Sequence, residues 1–366
     1  MANRRNLDVF VFTTMALFGL LAAQRAGVED TWRGLEAKGG RGAARGGVAR
    51  EPSDKAGHSA ASPTDIPAQG WWAVTKRVYA QIGDHRVLTE AAGVTYYALL
   101  AIFPALAAMV SLYGLFSDPA TIEQQVQQLA GVIPGGGMQV IGDQLHSLAS
   151  QHGGALTLGV VSGVAVSLWS ASSGVKSLFD SLNIVYDEPE RRSYFRRTLL
   201  ALAFTLALLA FLIAAMVVAV AIPAVVNAIG LSAVANLLIR ILRWPLLIVL
   251  VALLLAVIYR YGPSREEPKW RWVTPGGAVA AILWVLASAA FTFYTQNFGT
   301  YNKTYGSLGA AIGFMTWIWI SVSVVLIGAE LDAELEHQTA RDSTTGPERP
   351  MGTRGARKAD TVALET

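Results

Sequence analysis

The sequence predicts an all-α, polytopic integral membrane bundle with six core transmembrane helices. Three observations carry that prediction. Hydrophobic residues make up 53% of the chain and charged residues only 15%, where a soluble domain carries about a quarter charged. Six stretches stay apolar over the roughly 20 residues needed to cross a hydrocarbon core of about 30 Å. The connections between them alternate between rich and poor in Lys and Arg.

Taken in order, the spans fall at about 91–117, 155–175, 198–222, 241–261, 273–297 and 306–329. The first two contain no Asp, Glu, Lys or Arg from 91 to 117 and from 156 to 175. The uncharged stretch 198–239 is interrupted by Pro223, Asn227 and Asn236, so the third span is predicted to end near Ile222 and give way to an external turn. The fourth is the shortest, with Arg243 and Arg260 near its ends, where long side chains reach the head groups. No strand-like alternation runs through these segments, so helices are the only way for the backbone to satisfy itself in lipid.

The loops fix the orientation. Lys76, Arg77 and Arg86 precede the first span, and 118–154 has no Lys or Arg. Lys176, Arg191, Arg192, Arg196 and Arg197 follow the second span, and only Arg240 and Arg243 follow the third. Arg260, Arg265, Lys269 and Arg271 follow the fourth, Lys303 alone the fifth, and the tail holds Arg341, Arg349, Arg354, Arg357 and Lys358. The alternation places both ends of the six-helix core in the cytoplasm, as a multi-pass protein of a bacterial cytoplasmic membrane.

Outside the core, residues 1–24 form a hydrophobic segment whose apolar part, 9–23, is either a thin seventh anchor or an interfacial helix. Residues 25–70 read as low-complexity linker and 338–366 as a disordered cytoplasmic tail, which leaves 71–337 as the membrane domain. Trp71, Trp72, Val74, Val78, Tyr79 and Ile82 recur at helical spacing beside Lys76 and Arg77, the pattern of a basic interfacial helix feeding the first span. In the external loop, Ile122, Val126, Leu129 and Ile133 and then Met138, Ile141, Leu145 and Leu148 flank the break at 134–137. They predict a helical hairpin, a packing cap or a moving gate.

The composition excludes several functions. With no cysteine there is no disulfide, thiolate metal site or thiol nucleophile. The five histidines make no metal-binding pair on one helical face, so neither a metal nor any other cofactor is expected. The net charge of +3 is scattered and builds no basic stripe interleaved with aromatics, so no nucleic-acid partner is expected. No phosphate-binding loop or hydrolase triad occurs.

Polar residues inside the spans are the candidates for a pathway or binding site, because each is expensive in lipid and turns to the bundle or a cavity. Thr95, Tyr96 and Tyr97, ahead of Pro104, are one group, and Ser167, Ser170, Ser172 and Ser173 another, although small residues also allow close helix packing. In the turn at the external entrance of the last span, Asn302, Tyr305 and Gly306 serve either the turn itself or a solute. Arg191, Arg192, Arg196 and Arg197 are candidate contacts for lipid head groups, unless they are ordinary positive-inside anchors. Glu330, Asp332, Glu334 and Glu336 close the last span, with Glu330 and Glu334 on one face, and read as a solvated helix end.

Three stretches resemble the YihY/BrkB family of bacterial inner-membrane proteins. They are Ala92-Gly-Val-Thr-Tyr-Tyr-Ala-Leu-Leu-Ala-Ile-Phe-Pro104, Tyr186-Asp-Glu-Pro-Glu-Arg-Arg-Ser193, and Tyr301-Asn-Lys-Thr-Tyr-Gly-Ser-Leu-Gly309 continuing through Trp317 and Trp319 to Gly328-Ala-Glu-Leu-Asp-Ala-Glu-Leu335. The resemblance covers 71–337 and implies six spans, and members have carried the labels ribonuclease BN and virulence or serum-resistance factor. The nuclease label fits this sequence poorly, because its acids and histidines lie apart and no soluble domain is large enough for a tRNA. The reading that remains is a non-enzymatic membrane protein, in contact with lipids, that moves or binds a small or amphiphilic solute such as a lipid or envelope precursor. The alternative is a structural envelope component. The sequence names neither the solute nor the oligomeric state.

Overall fold

A computed structural model describes residues 56–113, 158–229, 233–298 and 307–363. The described residues form helices α1 (Ala68–Asp84), α2 (Val87–Tyr113), α3 (Leu158–Val185), α4 (Tyr194–Ile229), α5 (Ala233–Tyr261), α6 (Trp270–Phe298), α7 (Ser307–Gln338) and the short α8 (Arg357–Asp360). Among them there is no strand, only an isolated bridge between Pro268 and Thr344. The amino-terminal segment 1–24, the external loop 118–154 and the turn carrying Asn302, Tyr305 and Gly306 lie outside the described residues.

Among the described residues, three helical stretches are long and apolar enough to cross a membrane: Tyr194–Leu212, Trp270–Thr295 and Ala311–Gln338. Val87–Ile102 and Pro245–Tyr261 are shorter apolar helices. Their outward faces carry Leu199, Leu206, Leu212, Val249, Leu253, Leu286 and Phe293, all exposed. An apolar solvent tolerates such a surface and water does not.

α7 is the hub, packed against α1, α2, α3, α6 and α8, while α3 also packs on α4 and α5 on α6. The core gathers small and branched residues from five helices, among them Ala91, Leu182, Ala256, Ala280, Ala329 and Ala333. The closest crossing is between α6 and α7. A Cβ placed on Gly276 would lie 2.1 Å from the Gly328 carbonyl oxygen and 2.5 Å from Asp332 Cγ, so only glycine lets the two backbones meet there.

Three sequence expectations change. Instead of turning at Pro223, α4 continues to Ile229, and α5 begins at Ala233. A proline removes one helical hydrogen bond, which a long apolar helix accommodates where packing or lipid leaves it no better conformation. The last span, placed at 306–329, belongs to a helix that runs on to Gln338. At 1.5 Å per residue its 32 residues reach about 48 Å, so the final turns project well past a 30 Å hydrocarbon layer.

The third change is in the flanks. Residues 339–363, expected as a disordered tail, lie against the bundle with Thr339, Ser343, Arg354 and Lys358 buried. Hydrogen bonds rather than apolar burial hold them. Arg354 donates to the carbonyls of Ala340 (2.8 Å) and Ala359 (2.6 Å), and Asp360 accepts the backbone N–H of Gly352 and of Arg354, each at 2.8 Å. The end of the expected linker is fastened too, since Gln338 Nε2 donates to the Ala56 carbonyl at 2.7 Å and His58 Nδ1 to the Gln338 carbonyl at 3.0 Å.

Candidate functional site

The polar end of the bundle is organised by helix geometry. Successive even positions on a helix advance by about 200°, so Glu330, Asp332, Glu334 and Glu336 divide into two pairs spaced i, i+4 on opposite faces of α7. The expectation of a solvated acidic end is wrong: all four side chains are at most 1% exposed. The apolar residues between them, Leu331, Ala333 and Leu335, continue the core, and α1, the α3–α4 elbow, the α5–α6 loop and the tail close over the acids.

The Glu330/Glu334 face meets cations. Arg77 from α1 donates from Nε to Glu334 Oε2 at 2.6 Å and from Nη2 to Gln338 Oε1 at 2.7 Å. Lys358, carried in by the tail, stands 2.9 Å from Glu334 Oε1 and 3.0 Å from Asp187 Oδ2. His85, in the α1–α2 turn, holds Glu330 Oε1 at 2.6 Å with Nδ1 and Asp187 Oδ1 at 3.4 Å with Nε2. Both ring nitrogens therefore face carboxylates, the arrangement of an imidazolium. Burial alone would lower the His85 pKa, but the hydrogen bonds and charges of Asp187 and Glu330 outweigh it and raise it to about 9. The hydrogen bond from His85, with the Lys358 ammonium, holds Asp187 well below the usual carboxylate range. The backbone commits itself to this contact, because Arg86 beside the histidine and Asp187 opposite it both adopt left-handed conformations, with φ of 50° and 58°.

The Asp332/Glu336 face is short of cations. Glu336 pairs with Arg265 and accepts the Ser343 hydroxyl, and the Arg265 guanidinium lies 4.1 Å over the Tyr186 ring. Asp332 Oδ1 accepts the Gly276 N–H at 2.6 Å. Asp332 Oδ2, the Tyr186 hydroxyl and Arg265 Nε and Nη2 are buried without a hydrogen-bond partner.

Beside this network opens a cleft of about 650 Å³. Arg191, Arg192, Arg196, Arg260 and Arg265 line it together with Leu199, Leu200 and Ala203, which share one face of α4 with Arg196, and Glu266, Glu267 and Gly355. Arg192 is held by Glu190 at 2.7 and 2.8 Å and Arg260 by Glu267 at 3.0 Å. Arg191 and Arg196 are exposed, and Arg196 has no carboxylate partner among the described residues. Tyr194, Phe195 and Trp270 stand exposed nearby, the residue types that collect at a membrane–water boundary.

The sequence-derived candidates are placed unevenly. Arg191, Arg192 and Arg196 share the cleft, whereas Arg197 turns to Asp180 at 2.6 Å. Thr95 is buried, its hydroxyl bonded to the Ala91 carbonyl one turn back, while Tyr96, Tyr97 and Ser170 face outward, so these do not converge on an interior cavity. Sequence reasoning passed over His85, Asp187, Arg265 and Lys358. The available signal was the apolar spacing of Leu331, Ala333 and Leu335 beyond the expected helix end. Among the described residues no group of three or more His, Cys, Asp or Glu is placed to hold a metal ion.

These features define a multi-pass α-helical membrane protein with a buried ionic network and an arginine-rich cleft at one end of its bundle. The chain belongs to the family described as virulence factor BrkB, whose model matches residues 78–352. It is 28% identical over 265 residues to the putative ribonuclease-like protein YfkH of Bacillus subtilis, covering 71% of this chain and 94% of that one. It is 24% identical over 269 residues to the UPF0761 membrane protein VV0203 of Vibrio vulnificus, covering 73% and 84%. A UPF0761 membrane protein of Alcanivorax borkumensis is 39% identical over 89 residues, which is 23% of this chain and 20% of that protein. No solved structure matches.

Proposed function

We propose that the protein is a non-enzymatic, multi-pass protein of a bacterial cytoplasmic membrane that binds and moves an anionic amphiphile, whose head group enters the arginine cleft from the cytoplasmic side. One observation carries the reading. Five arginines, two of them exposed, line one cleft with Leu199, Leu200 and Ala203, an aliphatic strip that continues as the exposed leucine face of α4. Guanidinium groups recognise phosphate and carboxylate oxygens in pairs, and the leucines accept an acyl chain. The volume suits a head group and not a folded RNA. The alternation of basic and non-basic connections supports the cytoplasmic orientation.

The test uses purified full-length protein in detergent and short-chain phosphatidylglycerol, with short-chain phosphatidylcholine as the zwitterionic control. Binding is expected for the anionic lipid, weakened about tenfold or more in the Arg191→Ala/Arg196→Ala double variant, on the scale of charge-assisted hydrogen bonds. Equal binding of both lipids, or an unchanged affinity in the variant, would leave a structural envelope role as the better account.

A further inference from the structure

Asp332 differs from every other acid of the polar end. Glu330 faces His85, Glu334 faces Arg77 and Lys358, and Glu336 faces Arg265. Among the described residues Asp332 has no cation within ion-pair distance, although it is 1% exposed. Its surroundings hold it in place. The Gly276 N–H fixes Oδ1 at 2.6 Å, and the carboxyl sits so close to the α6 backbone that a Cβ on Gly276 would lie 2.5 Å from Asp332 Cγ. The groups within its electrostatic reach are Tyr186 from the elbow, Tyr259 from α5, Arg265 from the α5–α6 loop and Glu336 one turn along α7, while α6 offers only the Gly276 backbone.

Neither phenol serves it as a donor. Tyr259 gives its hydroxyl hydrogen to the Val325 carbonyl at 2.6 Å, and the Tyr186 hydroxyl has no hydrogen-bond partner among the described residues. Arg265 is committed to Glu336 and to the Tyr186 ring. A carboxylate buried with one hydrogen bond and no counter-ion costs several kcal/mol more than the neutral acid in the same place. The second oxygen, Oδ2, is the atom on which a proton removes that cost.

We propose that Asp332 is a proton-binding site, occupied by its proton in this conformation, and that Arg265 couples the proton to the anion of the cleft. The first half rests on geometry alone; the second rests on the function proposed above. Arg265 is the shared element, since it lines the cleft and stands within electrostatic reach of Asp332. An anion beside Arg265 cancels part of the positive field that favours ionised Asp332, so the proton is held more tightly. By reciprocity the protonated acid no longer offsets the Arg265 charge, so its field in the cleft holds the anion more tightly while its pair with Glu336 stays in place. Proton and anion then bind together, and losing one loosens the other.

Two measurements on the full chain in lipid nanodiscs separate the halves. Infrared spectroscopy at neutral pH should show the carbonyl stretch of a protonated carboxylic acid, shifted by deuteration and missing in Asp332→Asn, whose amide oxygen still accepts the Gly276 N–H. The wild-type spectrum needs no variant to fold, and absence of the band overturns the proposal outright, as does a band unchanged in Asp332→Asn. Affinity for short-chain phosphatidylglycerol should weaken about tenfold as pH rises from neutral to mildly alkaline, a typical coupling, and this slope should flatten in Asp332→Asn. An identical slope in both proteins overturns the coupling. If the wild type binds no anionic lipid at any pH, the function proposed above fails together with the coupling, and the infrared band still decides the proton site.

Discussion

The two faces of the α7 end carry the same kind of residue at the same spacing and are treated differently by the fold. On one, the carboxylates of Glu330, Glu334 and Asp187 meet Arg77, His85 and Lys358. On the other, Asp332 and Glu336 share Arg265, whose pair is with Glu336 alone. The balanced face ties α1, the elbow and the tail to α7 and reads as construction. The unbalanced face leaves Asp332 Oδ2, the Tyr186 hydroxyl and two Arg265 nitrogens unused beside a cleft, against Glu330 Oε2 and His337 Nδ1 on the balanced one, and polar groups kept in that condition inside a membrane protein are where function is sought first. Charge balance, rather than the presence of acids, separates the two roles.

The largest way to break this comparison is to remove an acid from the balanced face. Glu334→Ala leaves Arg77 with Gln338 and no carboxylate and Lys358 with Asp187 alone, and breaking a buried pair from one side destabilises by about 3–5 kcal/mol. Denaturant or thermal unfolding of the purified protein should show that loss, and a change below about 1 kcal/mol would erase the distinction between the faces.

A smaller effect is expected from pH. The folded pKa of His85, about 9, lies above its ordinary 6.5. Its stabilisation is therefore complete below 6.5 and is lost as pH rises through 9, on the order of a few kcal/mol at most. The melting temperature of the wild type should fall across that window and that of His85→Gln should not. Equal slopes would mean that the imidazolium is not what holds Glu330 and Asp187 together.

The smallest effect belongs to the unbalanced face. Asp332→Asn exchanges a neutral acid for a neutral amide of nearly the same shape, so stability should stay within about 1 kcal/mol of the wild type. A loss as large as that of Glu334→Ala would show that the Asp332 charge is structural.

Much of this architecture was legible in the chain. Apolar runs located the described helices, because lipid requires each to close its own hydrogen bonds. Arg191, Arg192 and Arg196 were legible as a group because they share the first turn and approach of one helix. What escaped reading depends on distant partners. Nothing local to Glu330 announces that His85, 245 residues earlier in the chain, will cover it. A tail of Gly, Thr and Arg also looks unstructured until its hydrogen bonds to α7 and to itself are seen. Pro223 misled for the opposite reason, since its local preference for a helix break is outweighed by a long apolar helix.

The position of Lys358 bears on how the molecule is made. During synthesis the helices emerge in order, and α7 is complete some twenty residues before the lysine that neutralises Glu334 and Asp187 has been added. Until then Glu334 has Arg77 and Asp187 has His85, but the cation that bridges the two carboxylates is missing, so the polar end closes fully only after translation has passed residue 358.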